Sequence, residues 1–218
     1  MNQDQLKQYA AEAALKYITH DQIVGVGTGS TVHYFIDALA TMKHKIKGAV
    51  ASSIDTEKKL KAHHIPVYDL NAVNAVDIYV DGADEFNAHK YLIKGAGGAL
   101  TREKIIATTA KQFICIVDDS KERKILGDCA VPIEVIPMAR GLVARTLVQL
   151  GGAPDYRAGI TTDNGNIILD VFQLDLSDAF RMEETLNNIT GAVCNGIFAK
   201  RKADVILVAT QNGIREIA

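Results

Sequence analysis

Three carboxylates fall within five residues at Asp81-Gly82-Ala83-Asp84-Glu85, directly after the apolar run Ile78-Tyr79-Val80. Carboxylates at the end of a buried strand are costly unless they have partners. Their types allow acid–base catalysis, acceptance of substrate hydroxyls or magnesium ligation. The plain alternative is a solvated Asp-Gly bend. A second segment runs Lys94-Gly95-Ala96-Gly97-Gly98-Ala99-Leu100-Thr101-Arg102-Glu103-Lys104. A lysine entering a glycine-rich loop can hold an oxyanion as a positioned point charge. Glu103 falls in the first turn of the helix that follows, where a carboxylate can be a base or simply complement the helix dipole.

Two further segments have the same character. Gly25-Val26-Gly27-Thr28-Gly29-Ser30-Thr31 combines glycines, which allow close backbone approach, with hydroxyls ahead of a helix. Hydroxyls and free helix N–H groups together make an anion site. No Gly-Lys-Ser/Thr follows, so this is not a Walker loop. Ser30 stands where a dinucleotide fingerprint has its third glycine, and Ser52-Ser53 stand where a ribose would want an acid. A phosphate site without a nucleotide is the better reading. Val117-Asp118-Asp119-Ser120-Lys121 ends another apolar run, and Lys121 can reach a phosphate or a sugar hydroxyl, or be a surface ion-pair partner. The six histidines (20, 33, 44, 63, 64 and 89) form no HxH, HxxxH or His/Cys grouping, so no metal is expected.

These segments need a scaffold that brings strand ends together. Short apolar runs at 22–27, 48–52, 67–70, 76–82 and 113–119 alternate with helical patterns at 4–18, 30–42, from about 55, and 100–110. In the first helix Leu6, Tyr9, Ala13, Tyr17 and Ile18 are predicted to share a face, and Ser30 or Thr31 is predicted near the second helix's N-cap. Alternating strands and helices with nearly continuous apolar strands predict an α/β fold: a Rossmann-like parallel sheet covered on both faces. Ligands then bind outside the carboxyl ends of the strands. From about residue 128 the order becomes β-α-β-β-α-β, with a turn at Asn164-Gly165, which predicts an inserted ferredoxin-like α+β domain. The expected division is 1–127 plus 204–218 for the main domain and 128–203 for the insert, with 203–210 returning as a strand to the first sheet.

Composition narrows the partners. With 48% apolar and 23% charged residues over 218 positions, the chain has the proportions of a globular enzyme. A net charge of −2 and dispersed Lys and Arg give nucleic acid no electrostatic footing. No apolar stretch approaches the roughly 20 residues of a membrane span, so no membrane partner is expected. The first twenty residues are polar and periodic, without a signal-peptide core. Three dispersed cysteines, Cys115 among them in an apolar run, fit a reducing compartment. The expected location is the cytoplasm.

Taken together, VGVGTGST, YVDGADE, KGAGGALTREK and VDDSK, in this order and spacing, closely resemble the A-type ribose-5-phosphate isomerases, and EVIPMAR, LGGAPDYR and TDNGN extend the likeness into the insert. The resemblance implies a Rossmann-like main domain, a ferredoxin-like second domain, a sugar-phosphate substrate, no metal or organic cofactor, and usually a homodimer. It implies Glu103 as catalytic base and Asp81, Asp84 and Lys94 as polar active-site groups. Substrate-binding positions implied are Thr28, Gly29, Ser30, Thr31, Asp81, Gly82, Ala83, Asp84, Lys94, Gly95, Ala96, Gly97 and Lys121. One departure is Ala96, where the family commonly has glycine; it is costly only if that position needs positive φ. The implied reaction moves a proton between C2 and C1 through an enediolate, for which Glu103 suits the base and Lys94 the oxyanion. Asp81 suits the acid–base group for ring opening and Asp84 the orientation of hydroxyls. The rival readings are another sugar-phosphate enzyme on a related fold, a metal-dependent enzyme using Asp81, Asp84 and Glu85, and a sugar-phosphate sensor domain. No basic helix-turn-helix precedes residue 20, against the last of these.

Overall fold

The computed structural model describes residues 1–218. In chain order the regular elements begin with α1 (Gln3–Ala14), β1 (Ile23–Val26), α2 (Ser30–Ala40), β2 (Gly48–Ala51), α3 (Ile54–Ala62) and β3 (Val76–Asp81). Then come β4 (Glu85–Phe86), β5 (Leu92–Ile93), α4 (Leu100–Thr109), β6 (Ala110–Asp118), β7 (Val131–Val135) and α5 (Arg140–Gln149). The last are β8 (Ala153–Tyr156), β9 (Ile167–Phe172), α6 (Ala179–Asn187), β10 (Ala192–Asn195), β11 (Ile197–Phe198), β12 (Val205–Thr210) and β13 (Gly213–Ile217). The chain divides into two compact units: 1–83, 102–121 and 203–218 form the first, 84–101 and 122–202 the second.

The first unit holds a six-stranded sheet in the order β13-β12-β6-β3-β1-β2. All pairs are parallel except β12 with the edge strand β13. Counting only the parallel strands, the order is 2-1-3-4-5, a doubly wound arrangement whose direction of winding reverses between β1 and β3. Both faces are buried. Val24, Val26, Ile78, Val80, Ile114 and Ile116 pack into one core with α1, α2 and α3. The alternate residues Tyr79 and Phe113 face the other way, with ring centroids 4.9 Å apart, and Ile106 of α4 closes over Gly25 on that side. Period-two alternation of two apolar sets is why these strands read as continuous apolar runs.

Local signals account for the helix starts. Asn2 and Gln5 form a capping box ahead of α1, and the Ser53 hydroxyl accepts the Thr56 N–H at 3.1 Å to open α3. The N-cap of α2 is Gly29, one residue before the expected Ser30 or Thr31. In α1 the buried residues are Leu6, Ala10, Ala11 and Ala14, while Tyr9 is exposed. Alanines let the helix backbone sit close to α2 and the sheet and take the inner face in place of Tyr9, while Tyr17 and Ile18, beyond the end of α1, pack against the same core. Residues 67–70 are not a strand; Val67 makes a single bridge to Ala49.

The second unit contains an antiparallel sheet ordered β10-β7-β9-β8, with α5 and α6 in the connections. This is the strand order 4-1-3-2 of a split βαβ unit. Its core gathers Val131, Ile133, Val135, Val143, Leu147, Leu169, Val171 and Leu186. A separate three-stranded sheet, β11-β5-β4, ties 84–93 to 197–198 and so draws these residues into the second unit. That sheet is two residues per strand in length, below what a sequence period can reveal.

Candidate functional site

In the first unit the chemistry-bearing segments emerge at the carboxyl ends of β1, β2, β3 and β6. The reversal of winding falls between β1 and β3, the place in such a sheet where ligands bind outside the strand ends. Asp81 is fully buried. Its Oδ1 accepts N–H bonds from Thr28 at 3.1 Å and Gly82 at 2.7 Å, and its Oδ2 accepts the Tyr79 hydroxyl. Gly27 makes this possible, since a Cβ on residue 27 would overlap the Asp81 carboxyl group. Gly27→Ala is therefore expected to displace the loop, with a loss of about 1–3 kcal/mol of stability of the kind overpacking produces. Thermal melting and turnover should both fall; an unaltered melt with full activity would show that the carboxyl group has other room.

Thr28 belongs to a hydroxyl cluster. Its Oγ1 lies 2.7 Å from Ser52 Oγ and 2.9 Å from Ser53 Oγ, and Thr56 Oγ1 donates to the Gly27 carbonyl at 2.6 Å. The cluster ties the Gly25–Thr31 loop to the start of α3. Gly29 and Thr31 are half-buried and Ser30, the first residue of α2, is exposed, which leaves the helix's first turn open to an anion. Gly82 and Ala83 are half-buried beyond β3. Glu103, only 3% exposed, sits in the first turn of α4, and Asp118 at the end of β6 is buried. Lys121 ends the short helical turn after β6 and is half-buried.

In the second unit Asp84 accepts the Ala96 N–H at 3.0 Å on Oδ2, and its own N–H bonds to Ile93 O at 2.8 Å. Lys94 is 2% exposed, its N–H bonded to Gly196 O and its Nζ 5.6 Å above the Phe198 ring centroid. A cation–π contact returns about 2 kcal/mol, against several for desolvating an ammonium group, so the ring alone does not account for a charge there. The loop after it turns tightly, with Gly98 N–H bonded to Gly95 O at 2.9 Å. Gly95 has φ +107°, which favours glycine, whereas Ala96 is not among the positive-φ residues and its methyl group is exposed. The departure at Ala96 is thus tolerated on conformational grounds.

Three residues outside the expected set hold site segments in place, two of them in the second unit and one in the first. Arg157 donates Nη1 to the carbonyls of Gly95 at 3.2 Å and Ala96 at 3.0 Å, while its Nε and Nη2 clasp Asp170 at 2.7 and 2.5 Å. This bidentate fork fixes the loop carbonyls on one side. Glu134, fully buried on β7, accepts the Thr101 and Thr162 hydroxyls and the side-chain amides of Asn164 and Asn166. The hairpin motif TDNGN is thereby a set of donors to one carboxylate and not only a turn. Tyr79 is the third. Glu85, by contrast, spends both oxygens on the N–H groups of Gly127 and Cys129, at 2.7 and 2.5 Å. Only Tyr79 had a visible cue, standing two residues before Asp81 on one strand face. Arg157 and Glu134 are brought to their partners by sheet pairing across dozens of residues, beyond local spacing.

The sequence model of the ribose 5-phosphate isomerase A (phosphoriboisomerase A) family matches residues 48–213. The chain belongs to this family. The ribose 5-phosphate isomerase A of Neisseria gonorrhoeae is 43% identical, with a TM-score of 0.97 over 99% of this chain and 97% of that one. The enzyme of Methanocaldococcus jannaschii is 38% identical at a TM-score of 0.93, covering 97% of each chain. A D-ribose-5-phosphate isomerase in complex with phospho-erythronic acid is 39% identical at a TM-score of 0.93, covering 99% of each. The family thus accounts for the parallel sheet with its antiparallel additions, over essentially the whole chain.

Proposed function

We propose that this chain interconverts D-ribose 5-phosphate and D-ribulose 5-phosphate through an enediolate, as an enzyme of the non-oxidative pentose phosphate pathway. The observation that carries this is its likeness, along 99% of both chains, to an isomerase seen with phospho-erythronic acid. That acid carries a planar anionic carboxylate, the shape and charge of an enediolate, so a site that takes it is suited to the reaction's intermediate.

On this reading Glu103 removes the proton from C2 and returns it to C1. Lys94 and the loop N–H groups of Gly95 and Gly97 stabilise the oxyanion that forms between these steps, while the Ala96 N–H holds Asp84. Asp81 serves ring opening and Asp84 orients hydroxyls. The hydroxyls and helix N–H groups of Thr28–Thr31, with Lys121, supply anion contacts that anchor the substrate at a distance from the reacting carbons. Gly82 and Ala83 complete the turn between the two aspartates. The donor chemistry asks for no metal or organic cofactor. A cytoplasmic location suits three free thiols, and a homodimer suits the exposed Ile136, Met138 and Leu142.

The test is turnover of ribose 5-phosphate to ribulose 5-phosphate by the purified protein with EDTA present, alongside other aldose phosphates. Full activity with chelator is expected. Binding without turnover would favour a sensor, and loss of activity that magnesium restores would favour a metal-dependent enzyme.

A further inference from the structure

Tyr79 presents a hydroxyl where the packing asks only for a ring. It is fully buried, stacks at a tilt on Phe113, and lies opposite Gly25 of β1, where an added Cβ would come within 2.9 Å of the Tyr79 ring. Phenylalanine would satisfy all of those contacts, and a buried hydroxyl is costly unless it is bonded. Tyr79 and Asp81 are two residues apart on β3 and so share one face, and the phenol donates to Asp81 Oδ2. Ser52, also fully buried, lies within electrostatic reach of the same phenol, and Thr28 Oγ1 lies 2.7 Å from Ser52 Oγ. Hydroxyls thus gather between the first glycine loop and the Tyr79–Asp81 pair.

We propose that Tyr79 is a positioning residue for Asp81, its phenol O–H holding Oδ2 in place while the backbone N–H groups of Thr28 and Gly82 hold Oδ1. This rests on the reading of Asp81 as a working group of the isomerase. Burial, then the nearby charges of Asp81 and Glu103, push the Tyr79 phenol well above its usual range. The phenol therefore stays protonated wherever the enzyme works and acts as a fixed donor, not as a titrating acid. Of the ionisable groups near this pair, Tyr79 shares the strand of Asp81 and Glu103 of α4 acts on Tyr79; residues 25–31 of the adjoining loop offer none.

A positioning role separates turnover from binding and from folding. In Tyr79→Phe, kcat is expected to fall about tenfold with KM within twofold and the melting temperature unchanged. Site-specific fluorotyrosine at 79, a stronger donor of the same shape, should alter kcat while leaving KM and the melting temperature unchanged. It also keeps the test available if Tyr79→Phe folds poorly. On an Asp81→Asn background, Tyr79→Phe should cause no further loss of kcat. A kcat that responds to neither replacement, with Asp81→Asn strongly impaired, would overturn this inference and leave the reading of Asp81 standing. Full activity in Asp81→Asn would remove that reading as well.

Discussion

Glu103→Gln is expected to lower kcat by about a thousandfold or more, with KM changed only a few-fold and the melting temperature held or raised. A positioned general base contributes about 10²–10⁴ in rate, and the amide keeps the shape of the side chain while losing the ability to take a proton. Glu103 is 3% exposed in the first turn of α4. A carboxylate there could instead serve the helix dipole, which contributes about 0.3–1 kcal/mol at most exposed sites. The two roles separate cleanly in one variant. A dipole role predicts a small fall in melting temperature and unchanged turnover. A base predicts the reverse, and single-turnover measurement with substrate deuterated at C2 would locate the loss in proton transfer. Wild-type turnover by Glu103→Gln would remove the base from this residue.

Lys94→Met should produce the second largest loss, about 10²–10³ in kcat, the size seen when one oxyanion donor is removed. Methionine matches the stem of lysine and suits the surface of the Phe198 ring. The loss of turnover is expected to exceed by far what any change in melting temperature accounts for. Lys94→Arg should rescue little, because a planar fork does not fit a site shaped around a point charge. A fall in stability that parallels the fall in kcat would instead make Lys94 a structural lysine.

The positions of the five parallel strands and the four chemistry-bearing loops were legible in the sequence, because each depends on neighbours within a few residues, whereas 67–70 reads as a strand and forms only a single bridge. Apolar runs ending in Gly27, Asp81 and Asp118 mark where a buried strand meets solvent, and a period of two or 3.6 needs no knowledge of the rest of the chain. The 4-1-3-2 sheet was legible for the same reason, through the order of its elements. Isomerisation, and a pentose phosphate as its substrate, came from likeness to a family and not from spacing. Tertiary structure alone decided which carboxylates are committed elsewhere. Glu85 is spent on the N–H groups of Gly127 and Cys129, Glu134 gathers four side-chain donors, and Arg157, just beyond β8, reaches the Gly95 and Ala96 carbonyls some sixty residues away. It also decided that Tyr79 donates to Asp81 through a gap that Gly25 and Gly27 leave open. Such partnerships are set by sheet register and burial, which act between residues far apart in the chain. A local pattern of residue types therefore carries no trace of them.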